Sequence, residues 1–179
     1  MKHIIGDKDI FAIEFEIFNF KPPAKGKSLI WIGNNSIGDY QMEDTFHYLL
    51  RSLYRIIFRN KDLWLEELKF LDCKNIYYKI VPFYNNPDDF YKLSYEEQGL
   101  FLKYDNFLFE WGDSFSDWNI RVIVNENVCK FLWAYTPLAD DNEFEVRNNI
   151  KCFNVDLTII KDVYDKVVPL MPIESLPKW

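Results

Sequence analysis

Phe11-Ala12-Ile13-Glu14-Phe15-Glu16-Ile17 alternates in character from one residue to the next. Successive side chains of an extended chain point to opposite faces, so Phe11, Ile13, Phe15 and Ile17 share one side while Glu14 and Glu16 share the other. The stretch predicts a strand with one face on a core and one toward water. An antiparallel sheet accommodates that asymmetry, whereas a parallel sheet is covered on both faces.

Working outward, Lys21-Pro22-Pro23-Ala24-Lys25-Gly26 breaks the strand, and Leu29 to Ile32 supplies a second. Asn34-Asn35 suits a hairpin turn into Ser36-Ile37-Gly38-Asp39. Asp44 or Thr45 then caps an expected helix to about Phe58, because Phe46, Leu49, Leu50, Leu53, Ile56 and Ile57 recur at helical spacing. Arg51, Arg55 and Arg59 fall on its outer face and read as a solvated stripe with no assigned ligand. Residues 61–71 suit a shorter helix, and Ile76 to Val81 a strand closed by Pro82.

Further along, Asn85-Asn86-Pro87-Asp88-Asp89 is turn chemistry, and Ser94 with Glu97 forms a capping box that opens a brief helix. Strands are expected at Phe107 to Trp111, Asn119 to Val124 and Val128 to Tyr135, the last two joined by a turn at Asn125-Glu126-Asn127. Asp140-Asp141-Asn142 reads as a loop, and a strand is expected within Glu145 to Val155. Asp156 or Thr158 caps a final helix through Val168, ended by Pro169 and Pro172. The fold class is α+β, with a mostly antiparallel sheet carrying helices on one face of a single domain over residues 1–179.

Composition supports a packed core: 49% of the 179 residues are hydrophobic and 18% aromatic. A net charge of -7 argues against nucleic acid or an anionic membrane as partner. The lack of a long apolar run or an N-terminal export pattern leads to an expected cytoplasmic location. Cys73, Cys129 and Cys152 are odd in number and widely spaced, so buried reduced thiols are expected.

Residues 105–145 hold nine acidic and two basic side chains, while the rest of the chain holds nineteen of each. That window contains Glu110-Trp111-Gly112-Asp113-Ser114-Phe115-Ser116-Asp117-Trp118. Tryptophan anchors interfaces and loop acids complement a basic partner. Glu110, Trp111, Asp113, Asp117, Trp118, Asp140, Asp141 and Glu143 are therefore the candidate partner-binding residues.

Signs of catalysis are missing from the pattern. His3 and His47 lie in no metal-ligand spacing, and the glycines of Gly33 to Gly38 lack the Lys-Ser/Thr pair of a phosphate loop. No catalytic, metal or cofactor residue is assigned. A small hydrolase built on Glu14, Glu16 and Asp39 or Asp113 remains as an alternative, as does an adaptor for an unrelated protein.

Ile5-Gly6-Asp7, Phe11-Ala12-Ile13-Glu14-Phe15-Glu16, Gly26-Lys27, Trp31-Ile32 and Ile37-Gly38-Asp39 before an amphipathic helix together resemble bacterial immunity protein family 42. The resemblance covers the first third of the chain. It implies a non-enzymatic antidote of a polymorphic toxin or contact-dependent inhibition system, binding the C-terminal domain of a cognate toxin. Many such toxins are nucleases with basic grooves, which an acidic surface can occlude. Gly6, Asp7, Gly38 and Asp39 suit turns at strand ends rather than contacts.

Overall fold

The computed structural model describes residues 1–21, 23–81, 91–136 and 149–172. The alternating stretch is the centre of strand β2 (Phe11–Asn19), which pairs antiparallel with β1 (Lys2–Asp7) and β3 (Lys25–Ile32). Strand β4 (Asn35–Ile37) continues beside β3, and the two-residue β5 (Asp44–Thr45) also pairs with it. A second antiparallel sheet holds β6 (Trp118–Asn125), β7 (Val128–Tyr135) and β8 (Lys151–Asp156) in that order. The expected antiparallel strands are thus divided between two sheets.

Helix α1 (Phe46–Phe58) buries Phe46, Leu49, Leu50, Leu53, Ile56 and Ile57, the residues whose spacing predicts it. It packs beside the C-terminal helix, labelled α4 (Leu157–Val167), which also covers β1 and β2. Asp156 caps α4 through the Thr158 backbone N–H. Burying the apolar face of an amphipathic helix stabilises it far more than intrinsic propensity does. Phe11 joins the sheets: it is fully buried and stacks on Phe131 of β7 with ring centroids 5.6 Å apart.

Several local expectations are corrected. Residues 76–81 are not a strand: helix α2 (Cys73–Ile80) occupies them, capped by Asp72 and burying Ile76, Tyr77 and Ile80. The spacing of those three residues fits a helix face as well as their side-chain type fits a strand. Residues 61–71 form two short 3-10 turns, Asn60–Asp62 and Glu66–Leu68, rather than one helix. Leu63 instead gives its carbonyl to the Val124 backbone N–H, docking the segment against the edge of β6.

Residues 107–111 make a single bridge to β6, between Leu108 and Arg121, instead of a full ladder. The Ser94 capping box does open α3 (Tyr95–Asp105). Strand β1 was not anticipated from the residues. The expected turn at 85–89 and loop at 140–142 lie outside the described residues.

The thiol expectation is also overturned. Cys73 at the start of α2 and Cys152 of β8 form a disulfide, with Cα atoms 6.2 Å apart. Cys129 alone is free, and its complete burial pushes the thiol pKa well up.

Candidate functional site: an acidic surface built from two segments

Glu110 follows directly from the buried pair Phe107 and Phe109, and alternation turns it outward. Ser52 of α1 donates to its backbone carbonyl at 2.7 Å, fixing the segment to the helix. Gly112 then turns the chain at φ 118°, a conformation that L side chains rarely adopt. A Cβ at this glycine would also collide with the Asp44 carboxylate. The next three residues, Asp113–Phe115, make a 3-10 turn.

That turn is tied to a segment about seventy residues away. The buried Asp44 carboxylate accepts from the Ser114 hydroxyl at 3.0 Å and from the Ser114 and Thr45 backbone N–H groups. Asp39 donates its backbone N–H to the Ser114 carbonyl at 2.7 Å. Satisfied buried polar groups of this kind hold loops rigidly, because leaving any one unpaired is costly. The consequence is that the segment carrying the exposed Asp39 and Glu43 is fastened to the one carrying the exposed Glu110 and Asp113.

The remaining candidate residues divide. Asp117 is half-buried, and its backbone carbonyl accepts from the Thr136 N–H at 2.7 Å. Trp118 is also half-buried and pairs across the strands with Tyr135, ring centroids 5.0 Å apart. Trp111 does not reach the surface: it is 2% exposed and packs between Phe109 and Phe115. Asp140, Asp141 and Glu143 lie outside the described residues. Asp39 and Glu43 were not assigned to this surface by sequence reasoning, since the charge window begins at residue 105.

Glu14 and Glu16 behave differently from a catalytic pair. Glu14 is buried on the outer face of the first sheet, where Lys2, Lys8 and the Trp31 indole N–H all bind its carboxylate. Burial alone raises its pKa, but those three donors together hold it below the ordinary carboxylate value of 4.5. Glu14 is therefore an ionised structural anchor. Glu14, Glu16, Asp39 and Asp113 line neither of the two described pockets. Among the described residues, no three His, Cys, Asp or Glu side chains meet as a metal site.

A pH dependence follows from Glu14. Its folded pKa is depressed, so its contribution to stability is present above the unfolded value and disappears as pH falls below about 4.5. Thermal unfolding of the wild type and Glu14→Gln between pH 3 and pH 7 should show the gap between them narrowing as the pH falls. A gap that stays constant over this range would remove the assigned role.

An α+β scaffold that fastens two distant loops together and leaves their acids exposed suits recognition of another molecule. The sequence profile of Immunity protein 42 matches residues 2–168, and the chain belongs to that family. It is therefore an immunity protein, one that neutralises a cognate toxin. The fold is similar to a crystal structure of CdiI from Burkholderia dolosa AUO158, with a TM-score of 0.59 at 15% identity over 92% of this chain and 99% of that one. No curated protein matches the chain in sequence.

Proposed function

We propose that the protein neutralises its toxin by occlusion, without catalysis, and that the surface formed by Asp39, Glu43, Glu110 and Asp113 is the contact. The toxin partner is then the C-terminal domain of a larger effector, its binding face basic as in a nuclease groove. The setting is contact-dependent inhibition, in keeping with the likeness of fold to CdiI, and the protein acts in the cytoplasm. The observation that carries this reading is the assembly of four exposed acids from two distant segments by the Asp44–Ser114 contacts. Net acidity adds long-range attraction, which raises encounter rates more than final affinity. Among the described residues no helix is long and apolar enough to cross a membrane.

The test uses the C-terminal domain of the effector encoded beside this gene. Reversing charge in Asp39→Lys, Glu43→Lys, Glu110→Lys and Asp113→Lys together should weaken the complex by roughly tenfold to a hundredfold in low salt. The loss should shrink at high salt, where exposed charges are screened beyond about 3 Å at 1 M. Growth rescue in co-expression should fail in parallel. Unchanged affinity at low salt would move the contact elsewhere on the molecule.

A further inference from the structure

A groove of about 860 Å³ runs between α1 and residues 105–110, and Glu110 of the acidic surface lies on its border. Its two walls are fastened together. Arg55 donates to the backbone carbonyls of Asn106 and Leu108, and its guanidinium lies 4.5 Å from the centre of the Phe109 ring. With Ser52 holding the Glu110 carbonyl, the groove is formed before any partner arrives. Preorganisation of this kind lowers the entropic cost of association.

Arg55 is half-buried and committed to this internal work: burial pulls its pKa below the ordinary arginine value, with Asp105 and Asp62 acting against that shift and Arg51 adding to it. Arg51 and Arg59, one helical turn to either side, are not committed. Both are exposed, and neither has a carboxylate within 4.0 Å among the described residues. Arg59 is the C-cap of α1, about 12 Å along the axis from Arg51. Tyr48, 40% exposed, shares the lining with Arg51. Arginine and tyrosine at the rim of a fixed groove are the residue types that dominate protein interfaces.

We propose that this groove takes an acidic segment of the toxin, with its carboxylates on Arg51 and Arg59, while the toxin's basic face meets the adjoining acids. The inference rests on the proposed contact at Glu110 and Asp113 and specifies what lies next to it. Nucleic acid is a poor occupant, because its closely spaced phosphates would run past Asp62, Asp105 and Glu110 in the same groove. Isolated carboxylates on a protein segment avoid that repulsion. The groove lining balances Arg51, Arg55 and Arg59 against Asp62, Asp105 and Glu110, so the two open guanidiniums rather than a net positive field make the contact, and a toxin segment shifted along the groove sets its carboxylates against like charge.

The experiment measures affinity of the full chain for the toxin domain encoded beside it, in low salt, for two charge reversals. Arg51→Glu with Arg59→Glu should weaken binding by about tenfold or more, and Arg51→Gln with Arg59→Gln by less. Unchanged circular dichroism confirms that these exposed substitutions leave the fold intact. Wild-type affinity in both arginine variants overturns the groove proposal, whatever Glu110→Lys with Asp113→Lys does. Loss in the arginine variants with no effect of the acid reversals upholds the groove and overturns the acidic contact. Sedimentation of the isolated protein as a dimer that Arg51→Glu dissociates would assign the groove to a second copy instead, and also overturns the proposal.

Discussion

Phe11→Ala is expected to destabilise the protein by about 3–5 kcal/mol, the usual cost of emptying a fully buried phenylalanine site. Phe11 is 0% exposed, sits opposite Ile32 in the sheet register and stacks on Phe131 of the second sheet. Removing the ring deletes dispersion contacts on both sides at once, and neither sheet can close the gap without shifting its own ladder. For a chain of this size that cost lowers the melting temperature by roughly 6–20 °C. Phe18→Ala is the control: its ring is 48% exposed and the change should stay within about 0.5 kcal/mol.

The same variant tests whether the sheets share one core. Far-ultraviolet dichroism reports mainly on helices, while tryptophan emission reports on side-chain packing in both sheets, through Trp31 of β3 and the buried Trp133 of β7. Both probes should move together in one transition for wild type and variant alike. Two separated transitions, only one of them displaced by Phe11→Ala, would show that the sheets unfold independently.

What the residues disclosed depended on how locally the structure is determined. The strand in Phe11 to Ile17, the helical spacing from Phe46 to Ile57 and the caps at Ser94 and Asp156 are set within a few positions and are realised, although the side of the strand expected to face water is closed over Ala12 and Glu14. The turn at Asn125 to Asn127 is realised too, with Glu126 at φ 53°. Residues 76–81 were ambiguous because a short apolar run fits either period, and tertiary placement against the second sheet decided for a helix. Trp111 was legible in principle: Phe107, Phe109 and Trp111 alternate with Leu108 and Glu110, which sends the tryptophan inward and the glutamate out. The joining of Asp39 and Glu43 to Asp113 was not legible, since it depends on Asp44 meeting Ser114 across the fold. Similarly, the arginine stripe of α1 carried no local sign that Arg55 faces a wall while Arg51 and Arg59 stay open.

Reduction of the Cys73–Cys152 bond, or Cys73→Ser, is expected to cost up to about 4.5 kcal/mol at 25 °C in the chain-entropy account, because the bridge spans a sequence separation of 79. The effect arises mostly in the unfolded chain, which regains the freedom of a long loop. The native structure should respond locally at α2. That helix retains its Asp72 cap and its buried Ile76, Tyr77 and Ile80, so it has reasons to stay docked without the bond. Against this, the Tyr77 hydroxyl and one Arg121 guanidinium nitrogen are buried without hydrogen-bond partners among the described residues, which weakens the polar part of the structure near it. Amide exchange in α2 should therefore rise on reduction before that of β2 or β7. Denaturant unfolding with and without dithiothreitol measures the stability loss, and equal midpoints would show that the bond constrains nothing. Alkylating the protein as it is isolated from cells, in denaturant without reductant so that the buried Cys129 is reached, then counts its free thiols: one with the bridge formed, three with it broken. Three thiols in the native host would mean that the reductants the protein meets there open the bridge, and that the stability available for toxin binding is that of the reduced form.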